Sequence, residues 1–142
     1  MGLFGNLFGR AMASGRWGSG GRASPEPQRS PRETQLVAEL GELSQTQARE
    51  PVRYALLFAG TVQGVGFRWV NQLLAQARGL TGWVRNLEGG DVDMEVQGPP
   101  ARIASHLDEL HASYAPMRAR IFMARAERMP PEHGETGFEV RY

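Results

Sequence analysis

The chain has 142 residues, a length that fits one domain with a tail. It holds no cysteine, which excludes disulfides and thiolate metal sites. A net charge of +1 argues against a strongly nucleic-acid-seeking protein, and no apolar run is long enough to span a membrane.

The first 50 residues differ in composition from the rest. Residues 1–32 are rich in Gly, Ser, Pro and Arg, with too little apolar surface to offset the entropy of ordering. Leu3, Phe4, Leu7 and Phe8 fall at helical spacing, but Gly2, Gly5 and Gly9 oppose a stable helix. Ala11-Met12-Ala13 resembles a signal cleavage site, yet only the N-terminus supplies positive charge ahead of a short, glycine-broken apolar stretch. Leu36, Val37, Leu40 and Leu43 form a narrow apolar stripe that predicts a short helix over 35–48. That helix either docks on the domain or links to it. Residues 1–50 are therefore expected to be a mostly disordered extension, and residues 51–142 the folded domain.

From residue 51, Tyr54-Ala55-Leu56-Leu57-Phe58-Ala59 reads as a first strand. Gly60-Thr61-Val62-Gln63-Gly64-Val65-Gly66-Phe67-Arg68 follows as a glycine-rich strand-to-helix turn. Such a turn points successive N–H groups at one spot, and a helix start behind it adds unpaired N–H groups and a positive dipole end. Phosphate is the usual occupant of such a cradle. Arg68, in the first helical turn, can fork two N–H bonds onto phosphate oxygens. The helix is predicted to bury Phe67, Val70, Leu74 and Ala77 and to stop at Gly79.

Leu80 to Asn86 predicts a second strand, Leu87-Glu88-Gly89-Gly90 a hairpin turn, and Asp91 to Val96 a third strand. Val92, Met94 and Val96 should face the core. Asp91, Asp93 and Glu95 share the other face and read as a solvated surface rather than a metal site. Gly98-Pro99-Pro100 opens a second helix with Ile103, Leu107, Leu110 and Tyr114 on its apolar side. His106 and His111 are five apart, not the i, i+4 spacing of paired ligands. Residues 118–128 and 138–142 predict two further strands. The order is β-α-β-β-α-β plus a short terminal strand, a ferredoxin-like α+β split β-α-β sandwich with two helices on one face of an antiparallel sheet.

With the elements placed, two stretches carry a resemblance. Val62-Gln63-Gly64-Val65-Gly66-Phe67-Arg68 resembles the phosphate-loop signature of the acylphosphatase family, and Gly82-Trp83-Val84-Arg85-Asn86 resembles its second signature. The resemblance covers about residues 52–142. It implies that Arg68 binds the substrate phosphoryl group and that the backbone of Gln63, Gly64, Val65, Gly66 and Phe67 forms the phosphate cradle. It implies that Asn86 positions the attacking water. The implied reaction hydrolyses a small acyl phosphate to a carboxylate and inorganic phosphate, with no metal and no cofactor. The protein is expected to be cytoplasmic and monomeric, with no nucleic-acid partner and no stable membrane insertion. The alternative is a binding module that keeps the cradle for phosphate or carbamoyl phosphate without turnover, as in the related domain of hydrogenase-maturation proteins.

Overall fold

Ser30-Pro31 starts the first helix. The Ser30 hydroxyl accepts a hydrogen bond from the Glu33 N–H at 3.0 Å, and Pro31 takes the first helical position, where a missing N–H costs nothing. The computed structural model describes residues 28–142. Residues 1–27 of the expected disordered extension, with the Leu3–Phe8 stripe and the Ala11–Ala13 cleavage motif, lie outside the described residues, whereas residues 28–32 are described and carry the cap and start of the first helix. Helix α1 spans Pro31–Thr46, starting earlier than its apolar stripe suggests because this cap sits inside a Ser- and Pro-rich run.

Helix α1 is docked. Leu36 and Leu40 are fully buried, and Glu33 is buried with them. Both Glu33 carboxylate oxygens lie 2.8–2.9 Å from Nε2 of His111. Ser30 Oγ donates to the Met123 carbonyl at 2.7 Å, and the Arg32 guanidinium donates to the Ala126 carbonyl. These contacts fasten α1 to the helix that carries His111 and to the edge strand that carries Met123 and Ala126.

The other elements follow in order: β1 (Val52–Gly60), α2 (Phe67–Ala77), β2 (Thr81–Asn86), β3 (Val92–Gly98), α3 (Pro100–Tyr114), a 3-10 turn (Ala115–Met117), β4 (Ile121–Met129) and β5 (Phe138–Arg141). The sheet order is β4-β1-β3-β2-β5. This is the expected ferredoxin-like plan, extended in two ways. Helix α1 joins the two expected helices, and β5 runs parallel to β2, so the sheet is mixed.

Period-two alternation sets the core. Tyr54, Leu56 and Phe58 of β1 and Val92, Met94 and Val96 of β3 are buried in one cluster with Leu36, Phe67, Leu107 and Tyr114 from the helices. In α2 the buried set includes Asn71 and Ala75, while Ala77 lies outside it. The opposite sheet face is polar but paired. Arg53, fully buried, donates to Glu95 at 2.9 Å and to Glu135 at 2.7 Å, and Arg85 donates to Asp93 at 2.9 Å. The strand carboxylates Asp93 and Glu95 thus answer arginines. Among the described residues no helix is long and apolar enough to cross a membrane.

Candidate active site

The site forms where β1 hands over to α2. Gly64 and Gly66 sit at φ 77° and 71°, a left-handed conformation that residues with a Cβ rarely adopt, and Gly66 is the N-cap of α2. The first bond of the helix runs from the Val70 N–H to the Gly66 carbonyl at 2.9 Å. The amides ahead of it therefore have no partner within the helix. They and the helix dipole make this turn a place for an anion.

Three side chains hold the turn in place. Gln63 Nε2 donates to the carbonyls of Leu87 and Asp91 at 2.8 and 2.9 Å, tying the loop to the β2–β3 hairpin. The Tyr114 hydroxyl donates to the Val65 carbonyl at 3.0 Å. Burial pushes the Tyr114 phenol up to about 12, so it remains a donor at neutral pH. Asn71 Nδ2 donates to the Phe67 carbonyl at 2.8 Å, which directs Asn71 Oδ1 to His106 Nε2 at 2.9 Å. His106 must carry its proton on Nε2, and its buried Nδ1 has no partner among the described residues.

That buried imidazole gives a pH prediction. Burial, with the Arg78 charge adding, pushes the His106 pKa down to about 3, against about 6.5 in an unfolded chain. Between those values the unfolded chain binds a proton that the folded one refuses. Stability should therefore fall as pH drops from about 6.5 toward 3. In His106→Gln, whose amide keeps a donor toward Asn71, the melting temperature should depend less steeply on pH over that window. Thermal unfolding at stepped pH values checks this.

Strand β2 brings the second half of the site. Gly82 is glycine because a Cβ there would collide with the Glu95 carbonyl of β3. Alternation then turns Trp83 and Arg85 to the far face, where the Trp83 ring lies 5.2 Å from the Arg85 guanidinium carbon and 4.7 Å from that of Arg141. Asn86, the last residue of β2, faces the cradle side. Its Oδ1 is buried and accepts no hydrogen bond among the described residues.

A pocket of about 530 Å³ collects these parts. Gln63, Gly64, Gly66, Phe67, Arg68 and Asn86 all line it. Val65 does not; its side chain packs on the core and its carbonyl is held by Tyr114. Arg68 is braced from the C-terminal side. Its Nη1 donates to the Arg141 carbonyl at 3.1 Å, and its guanidinium carbon lies 4.7 Å from the Tyr142 ring centre. Val62 of the loop and, beyond it, the four residues Trp69, Gln72, Val140 and Tyr142 complete the wall. Sequence reasoning did not place these four at the site. Trp69 and Gln72 follow Arg68 on α2, but Val140 and Tyr142 arrive only through the parallel pairing of β5 with β2, which no periodicity encodes.

The Acylphosphatase family profile matches residues 54–140, which span the cradle, Arg68 and Asn86. The acylphosphatase of Clostridium beijerinckii is 36% identical over 91 residues, covering 64% of this chain and 99% of its own. That of Nocardia farcinica is 37% identical over 103 residues, 72% of this chain and all of its own. The crystal structure of acylphosphatase from Bacillus subtilis superposes with a TM-score of 0.53 at 26% identity, over 64% of this chain and 99% of that one. HypF from T. kodakarensis superposes with a TM-score of 0.56 at 27% identity, and the match spans 12% of its length. A profile that runs through both signature stretches, together with whole-length relatives above 35% identity, settles the lineage: the chain belongs to the acylphosphatase family.

Proposed function

We propose that the chain hydrolyses acyl phosphates to a carboxylate and inorganic phosphate without a metal ion. In this reading the cradle amides and Arg68 hold the phosphoryl group and Asn86 holds the attacking water. The observation that carries it is the Asn86 oxygen. A buried acceptor with no protein partner costs about 1–3 kcal/mol, so its place in the same pocket as Arg68 calls for a functional reason. A water hydrogen supplies the partner that the fold withholds. A site that only bound inorganic phosphate would gain nothing from an acceptor facing the anion's own negative oxygens.

The chemistry asks for little else. An acyl phosphate is a mixed anhydride whose leaving carboxylate is already stable as an anion near neutral pH, so no general acid is required. Phosphoryl transfer proceeds through a loose transition state with charge on the equatorial oxygens. Fixed N–H dipoles and one guanidinium stabilise that charge, and they need no reorganisation as the reaction proceeds. Asn86 orients the water in line without abstracting its proton, and a phosphoryl oxygen can accept that proton as the new P–O bond forms.

Phosphate release from acetyl phosphate should proceed at the same rate with and without excess EDTA. A rate that collapses in EDTA and returns with added magnesium would overturn the metal-free mechanism.

A further inference from the structure

We infer that the site selects acyl phosphates with a flat, apolar acyl group, and that Trp69 and Tyr142 are the residues that recognise it. The inference rests on the catalytic reading above and extends it to the part of the substrate that leaves.

Among the described residues, Trp69, Met117 and Tyr142 are the large hydrophobic side chains that stand exposed, and Trp69 and Tyr142 line the pocket of Arg68 and Asn86. Their fractional exposures are 55% and 96%. Singly exposed apolar residues are ordinary, but a pair of aromatics from different elements at one pocket is a contact surface. Val140 of β5, partly buried against the core, adds an aliphatic wall between them and the sheet. At about 530 Å³ the pocket falls within the range of about 300–1,000 Å³ that encloses whole small molecules, far more than a phosphoryl group fills. The cradle and Arg68 provide for the anion. The remaining wall offers the two rings and two valines, Val62 and Val140, beside one amide, Gln72, which suits a largely apolar partner.

The Tyr142 ring is exposed, and the strand that leads to it is anchored. The ring lies against the Arg68 guanidinium, a cation–π contact, at the end of a strand that Arg68 itself grips through the Arg141 carbonyl. Gln72 Nε2 donates to the Phe138 carbonyl at 3.1 Å and binds the start of the same strand to α2. A substrate ring that packs on the Tyr142 ring forms an aromatic pair. Aromatic pairs of this kind contribute roughly 0.5–1.5 kcal/mol each.

The test compares kcat/KM for benzoyl phosphate and acetyl phosphate in the wild type, Trp69→Ala, Tyr142→Ala and Tyr142→Phe. The two substrates differ in intrinsic reactivity, but that difference cancels when the benzoyl-to-acetyl ratio of a variant is divided by the wild-type ratio. Trp69→Ala and Tyr142→Ala should each lower the ratio roughly three- to tenfold, through KM for benzoyl phosphate. Tyr142→Phe should keep it. Tyr142 also braces Arg68, and a disturbed Arg68 would slow both substrates together and leave the ratio unchanged. Unchanged ratios in both alanine variants, with both substrates hydrolysed, overturn the recognition role alone. A wild type that hydrolyses neither substrate overturns the catalytic reading and this inference with it.

Discussion

Asn86→Ala should bind inorganic phosphate as the wild type does and turn over acyl phosphate roughly 10²–10³-fold more slowly. The separation follows from the geometry. In the proposed reading the phosphoryl group is held by backbone amides at the start of α2 and by Arg68, while Asn86 reaches the pocket from β2. The substitution removes only the acceptor that fixes the water. Calorimetric titration with phosphate measures the first half, and phosphate release measures the second. The folded state should not suffer. The Asn86 oxygen holds no other described residue in place, so the melting temperature of Asn86→Ala should match that of the wild type. An asparagine retained only to shape the hairpin would behave in the reverse way, losing stability and keeping turnover. Asn86→Asp sharpens the contrast, since a carboxylate beside the phosphoryl oxygens should weaken phosphate binding as well. Wild-type turnover in Asn86→Ala would remove the water-holding role.

The parts of the site that were legible in the sequence are those written in local code. Gly64 and Gly66 mark positive φ at a strand-to-helix turn, and Arg68 falls in the first turn because the helical period begins at Phe67. Asn86 could be put on the cradle's side by alternation within β2. What stayed hidden depends on partners distant in the chain. Gln63 was expected to contribute its backbone, and its side chain proves to clamp the hairpin that carries Asn86. His106 and His111 gave no sign of their opposite surroundings. One is a neutral donor that braces α2, and the other meets Glu33 of α1 in the interior. Strand β5 was visible as a short apolar run, but its parallel pairing beside β2, which brings Val140 and Tyr142 to the pocket, is a property of the assembled sheet.

The docking of α1 shows the same limit. Its stripe of Leu36, Leu40 and their neighbours is too narrow to declare a partner. The partner is disclosed by polar groups instead. Ser30 and Arg32 reach carbonyls on β4, the edge strand of the sheet, and Glu33 enters the core beside a histidine from α3. A carboxylate buried without partners would be strongly destabilising, and Glu33 has two, His111 of α3 and Arg29 just ahead of α1. The family match starts at residue 54, so α1 lies outside the matched region, and it makes specific contacts of its own to α3 and β4.

Arg68→Ala should abolish both phosphate binding and turnover, with a loss in kcat/KM on the order of 10³–10⁵-fold, the scale seen when an arginine is removed from a phosphoryl-transfer site. Arg68→Lys should fare only modestly better, by about tenfold. A lysine keeps the charge but presents it as a point on a flexible stem, whereas the guanidinium offers five N–H donors in one plane. That plane is already oriented. One edge is engaged by the Arg141 carbonyl and one face lies against Tyr142, so the donors left over are presented to the pocket before substrate arrives. A lysine ammonium that satisfied the Arg141 carbonyl would have its remaining donors pointing away at tetrahedral angles, and it could not make two parallel bonds to one phosphoryl group. The loss should appear in the affinity for inorganic phosphate as well as in kcat, in contrast to Asn86→Ala. Because Arg68 is only half-buried and its neighbours Phe67 and Val70 carry the packing of the turn, the variants should melt within a few degrees of the wild type. Arg68→Lys with wild-type phosphate affinity and wild-type turnover would mean that a diffuse positive field suffices, and that the fork geometry assigned to Arg68 is wrong.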